Sequence, residues 1–128
     1  MSPERFFKQN RRVIVFDTEY TTWEGARDRN WSGENEYREI FRIDAIKVDL
    51  FSAEVLSEFS SFIKPAINPE LSEFATKLHK VKQFDIDHAS NLSHIYKEFL
   101  SWADTNLLCS FDRDLNPQAD GVVIKENI

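Results

Sequence analysis

Four consecutive apolar residues, Val13-Ile14-Val15-Phe16, predict a buried strand. Two further strands are expected at residues 39–49 and 53–64, with a turn at 50–52, and Val55, Phe59 and Ile63 can share one face of the second. Pro65 and Pro69 end that strand and open a new segment, with a short helix expected over 69–78. The clearest helix spans about 90–103. Leu92, Ile95, Tyr96, Phe99 and Leu100 fall at helical spacing on one core-facing stripe, and Ser90 or Asn91 serves as the cap. Residues 107–111 read as another buried strand. The order strand, strand, strand, helix, helix, strand predicts an α/β domain, a mixed sheet flanked by helices.

Between the first two strands lies a long loop, 21–37, rich in Gly, Asn, Trp and charge, whose length marks it as functional or mobile. Residues 1–12 form a basic, partly helical lead-in with Arg5, Lys8, Arg11 and Arg12, and 13–128 form the domain proper. With 128 residues, 41% of them hydrophobic, and eleven Phe, the chain has room and material for one core. No apolar stretch approaches a membrane span and no signal-peptide pattern opens the chain, which makes the cytoplasm the default location. Cys109, the lone cysteine, reads as a small buried hydrophobe. The net charge of −6 is not that of a general nucleic-acid binder, because phosphate contacts need Lys and Arg; a nuclease with a metal at the scissile phosphate and local basic residues stays open.

The chemistry concentrates at the end of the first strand, where Asp17-Thr18-Glu19 follows the apolar run. Strand alternation points both carboxylates to one side. Like charges that close are costly without a cation, and Mg²⁺ and Mn²⁺ take oxygen ligands, so Asp17 and Glu19 form a divalent-metal seat; the bland reading is an exposed acidic strand end. Trp23, Trp31 and Tyr37 of the long loop either stack on bases or pack over the sheet edge. Arg27, Arg29 and Arg38 either contact phosphate or belong to a solvated mixed-charge loop. His88 and His94 have no ligand spacing and read as solvated or capping residues.

Phe16-Asp17-Thr18-Glu19-Tyr20-Thr21-Thr22-Trp23-Glu24-Gly25 resembles the first motif of the DEDD-type 3′–5′ exonucleases, in the bacterial branch similar to the ERI-1-like enzymes. The block from Arg38 to Val48 resembles that family's second strand, Phe62 to Ser72 its third strand and following turn, and Ser110-Phe111-Asp112-Arg113-Asp114 its second catalytic motif. The resemblance implies a ribonuclease H-like fold and hydrolysis of phosphodiester bonds at the ends of single-stranded RNA or DNA. It implies two divalent cations, Mg²⁺ or Mn²⁺, held by four carboxylates, and a His as general base. Asp17 and Glu19 match two of those carboxylates and Asp114 a third, with Asp112 its alternative. Thr18, Tyr20, Trp23 and His79 fall at substrate-binding positions.

The chain also departs from the family pattern. The third motif, a His with an Asp five residues on, belongs beyond the second, and the chain ends at Ile128. The family's Leu-Thr-Gly-Ile stands here as Leu78-His79-Lys80-Val81, and Asp44 replaces a Gly. The expectation is therefore an exonuclease domain lacking its C-terminal part, weak or inactive as it stands, and paired as a homodimer through an open edge. Two alternatives accompany it: a non-catalytic exonuclease-like binding or interaction domain, and a phosphatase with an aspartyl nucleophile, since Asp-x-acid-x-Thr also follows the first strand of that fold. Tyr20 and Glu19 fit the phosphatase poorly.

Overall fold

A computed structural model describes residues 11–104 and 106–110. Strands β1 (Arg12–Tyr20), β2 (Ile40–Asp49) and β3 (Val55–Phe62) come first. Helices α1 (Glu73–His79), α2 (Gln83–Asp87) and α3 (Leu92–Ala103) follow, then β4 (Leu107–Ser110). The strands form one sheet in the order β3-β2-β1-β4, with β1 antiparallel to β2, β2 antiparallel to β3, and β4 parallel to β1. A parallel return needs a crossover, and the helical segment between β3 and β4 supplies it.

One face of the sheet presents Ile14 and Phe16 of β1, Ile43 and Ala45 of β2, and the partly buried Phe59 of β3. Helix α3 covers this face with Ile95, Phe99 and Ala103. Phe99 meets Phe16 and Phe59 at ring-centroid distances of 6.0 and 5.5 Å, and is 1% exposed. The helix starts at Asn91, whose side chain accepts the His94 N–H at 2.9 Å. Its far end is tied to the sheet by polar contacts. Trp102 Nε1 donates to Ser57 Oγ at 2.7 Å and Lys47 Nζ donates to the Trp102 carbonyl at 2.9 Å.

A second, smaller core forms at the end of the sheet. The β1–β2 register slips between Glu19 and Tyr20, leaving Phe41 without a partner on β1. The slip keeps Ile40 in the first core and sends Phe41 into a cluster with Leu71, Ala75, Val81 and Ile86, which brings α1 and α2 against this corner.

Several expectations need correction. The segment between β3 and α3 holds two helices rather than one; the first is Glu73–His79, because Ser72 rather than the Pro69 region caps it, accepting the Ala75 N–H at 3.0 Å. Val55 is 52% exposed, since β3 is an outer strand of the sheet among the described residues and a second register slip between Lys47 and Val48 precedes the Val48–Val55 pair. Leu100 is 40% exposed because the buried line of α3 runs through Ile95, Phe99 and Ala103, with Leu100 beside it. Cys109 is exposed, not buried: it pairs with Val15 on the sheet face opposite α3. Leu108, at 42% exposure, also lies on the rim.

Candidate metal centre and nuclease site

Asp17 and Glu19 leave β1 on the sheet face that α3 does not cover, opposite their register partners Asp44 and Arg42 on β2. Asp17 is exposed and lines an open groove of about 340 Å³ together with Val15, Asp44, Ile46, Glu58 and Ser60. Two carboxylates directly opposed across a strand pair repel each other. Arg42 offsets the charge of Asp44, with Nε 2.8 Å from its Oδ2, and Ser60 Oγ donates to Asp44 Oδ1 at 2.5 Å.

Glu19 is set further into the corner. Its Oε2 lies 3.0 Å from Nδ1 of His79, the last residue of α1, with the two side chains 33% and 18% exposed. The His79 ring rests edge-on against Phe41, centroids 5.4 Å apart, and Phe41 is fully buried. Helix α1 ends there because Lys80 adopts a left-handed conformation, φ 54°, ψ 45°, and its N–H closes on the Thr76 carbonyl. The helix start is tied to the same neighbourhood, since Ser72 Oγ donates to the carbonyl of Thr22, just beyond β1.

The other sequence-predicted site residues surround this pair. Thr18 is 3% exposed and faces the α3 side. Tyr20 is half-buried and meets Trp31 edge-to-face at 5.5 Å; Trp23 is half-buried in the loop. Asp114 and its alternative Asp112 lie outside the described residues. Among the described residues no group of three His, Cys, Asp or Glu is placed to hold a metal ion. The donor chemistry of the strand end nevertheless fits a hard divalent cation: two carboxylates share one face, and Asp17 opens to solvent.

The long loop is packed and cross-braced. Arg29 pairs with Glu36 and donates to the Glu24 carbonyl at 3.1 Å, while Gly33 N–H donates to Glu36 at 2.9 Å. The Arg29 hydrogen bond holds the Glu36 carboxyl below its ordinary value against partial burial, with the Gly33 N–H adding to the effect. Gly25, at φ 76°, lies so close to Arg29 that a Cβ would stand 2.6 Å from the guanidinium. Arg38 lies over the Trp31 ring at 5.2 Å, which gives Trp31 a packing role; Tyr37 stays 56% exposed.

One residue and one contact that build the site were not singled out by the sequence. Glu39, 9% exposed, accepts the N–H groups of Ala66 and Ile67 at 2.8 Å and of Asn68 at 2.7 Å, fixing the turn that leads to α1. Its only sequence signal is a carboxylate set directly before the apolar Ile40-Phe41. The Glu19–His79 contact spans sixty residues of chain, and no local spacing encodes it.

Residues 14–116 match the model of the RNase T family, described as exonuclease. The chain belongs to this exonuclease family. ERI1 exoribonuclease 2 of Danio rerio is 33% identical over 90 residues, covering 70% of this chain and 15% of that protein. The 3′-5′ exonuclease eri1 of Schizosaccharomyces pombe is 31% identical over 88 residues, covering 69% of this chain and 28% of that protein. The chain thus matches less than a third of the length of these relatives. Among solved structures, the nuclease domain of 3′hExo, a DEDDh family member bound to rAMP, superposes with a TM-score of 0.74 at 17% identity, covering 92% of this chain and 58% of that domain. The fold of this exonuclease domain is therefore ribonuclease H-like, as expected. Among the described residues no helix is long and apolar enough to cross a membrane.

Proposed function

We propose that this chain is a metal-dependent 3′–5′ exonuclease domain acting on the ends of single-stranded RNA or DNA. The observation that carries the reading is the pair Asp17 and Glu19 on one face at the end of β1, within a chain of the RNase T exonuclease family. Asp17, Glu19 and Asp114 are the residues that would hold two divalent cations, Mg²⁺ or Mn²⁺. When bound, such ions stabilise the attacking and leaving oxygens of the phosphodiester. Thr18 and Tyr20 at the strand end, Trp23 in the loop and His79 at the end of α1 border the strand's terminal nucleotide. The domain begins at residue 13, behind the basic lead-in of 1–12, works in the cytoplasm, and pairs with a second copy through an open sheet edge.

A 5′-labelled single-stranded oligonucleotide, as RNA and as DNA, incubated with the chain and Mn²⁺ tests the reading. Slow shortening from the 3′ end that disappears in Asp17→Asn is the expected outcome. Shortening that survives Asp17→Asn, or none with either substrate, overturns it.

A further inference from the structure

We propose that His79 is a positioning residue for the Glu19 carboxylate, holding it in the orientation that receives a divalent cation; the inference rests on the metal-seat reading of Asp17 and Glu19. The His79 Nδ1 stands 3.0 Å from Glu19 Oε2. A carboxylate oxygen accepts, so Nδ1–H is the donor in this contact. One donated hydrogen bond fixes the rotation of the carboxylate and leaves its other lone pairs for a cation. Hydrogen-bonded partners of this kind orient metal-ligating groups and sharpen their affinity.

The imidazole is itself braced by a ring contact. Phe41 supports its ring at 5.4 Å from within the second core. Helix α1 is pinned twice to the stretch 19–22, at its start through Ser72 and the Thr22 carbonyl and at its end through His79 and Glu19. The left-handed turn at Lys80 stops the helix with His79 in its last position. Asp17, by contrast, is exposed at the groove.

Mn²⁺ titration of the full 128-residue chain, with free Mn²⁺ counted by electron paramagnetic resonance, tests the proposal without any need for activity. His79→Phe keeps a ring against Phe41 and removes the donor; His79→Asn restores an N–H near the position of Nδ1. His79→Phe is expected to weaken Mn²⁺ binding about 10-fold or more, and His79→Asn to recover most of the loss. His79→Leu makes the same comparison if the Phe variant does not melt cooperatively. Unchanged or tighter binding in the folded donor-less variant overturns the proposal, as does a loss that His79→Asn fails to recover. Binding that is absent in wild type, or equal in wild type and Asp17→Asn, overturns the metal seat itself and the positioning role with it.

Discussion

Glu39 shows how much one carboxylate can organise. It accepts three successive backbone N–H groups at 66–68, and its own backbone pairs with Thr21, whose N–H donates to the Glu39 carbonyl at 2.8 Å and whose Oγ1 accepts the Glu39 N–H at 2.9 Å. The end of β1, the foot of β2 and the turn before α1 therefore meet at one residue. Glu39→Ala removes the acceptor and leaves three partly buried donors, a loss of about 2–4 kcal/mol of stability expected in chemical denaturation; a loss no larger than that of an exposed Glu would mean the turn stands without it. Glu36 supports a pH prediction. Because Arg29 lowers its carboxyl in the folded chain, its stabilising contribution is fully present above the ordinary value of 4.5 and is lost as pH falls through the lower folded value. The melting-temperature gap between wild type and Glu36→Gln should be widest near neutral pH and close below that range. A gap that stays constant into acid would remove the Arg29 brace as its cause.

At the scale of elements, α1 carries the most information per residue. It is seven residues long, too short to stand alone, and is held by its Ser72 cap, by Ala75 in the second core and by the Lys80 turn. The exonuclease resemblance sets a Gly where Lys80 stands, and the structure has there the conformation that Gly favours, with φ 54°. A lysine held there is strained. Lys80→Gly is therefore expected to raise stability by about 1 kcal/mol, measured by urea unfolding, with no change in Mn²⁺ affinity. Destabilisation would mean that the Lys side chain makes contacts worth more than its backbone strain. The helix also explains why a single element was expected between β3 and α3: the apolar residues of 71–86 serve a small separate core, so no continuous helical stripe spans them.

At the scale of the molecule, the two faces of the sheet differ. One is closed by α3, whereas the other presents Val15, Asp17, Ile46 and Glu58 along an open groove, with Leu56 of β3 44% exposed. β3 and β4 are the sheet's outer strands among the described residues. Unpaired edges and open apolar faces favour association, so sedimentation velocity is expected to show a dimer that grows with protein concentration. A single monomeric species over the whole concentration range would overturn the pairing through the edge.

The sequence by itself determined the strands, the α3 stripe around Ile95 and Phe99, and the placement of Asp17 and Glu19 on one face, because alternation and helical spacing are local properties of the chain. Only the tertiary structure decided which of the α3 stripe's neighbours are covered, as the exposure of Leu100 shows, and which sheet face α3 leaves uncovered, as Cys109 shows. The register slip that turns Phe41 into a second core, the buried Glu39 anchor and the His79–Glu19 contact likewise join residues far apart in sequence. Each depends on how three strands and a seven-residue helix meet at one corner, and a contact set by that meeting leaves no periodic trace in the chain.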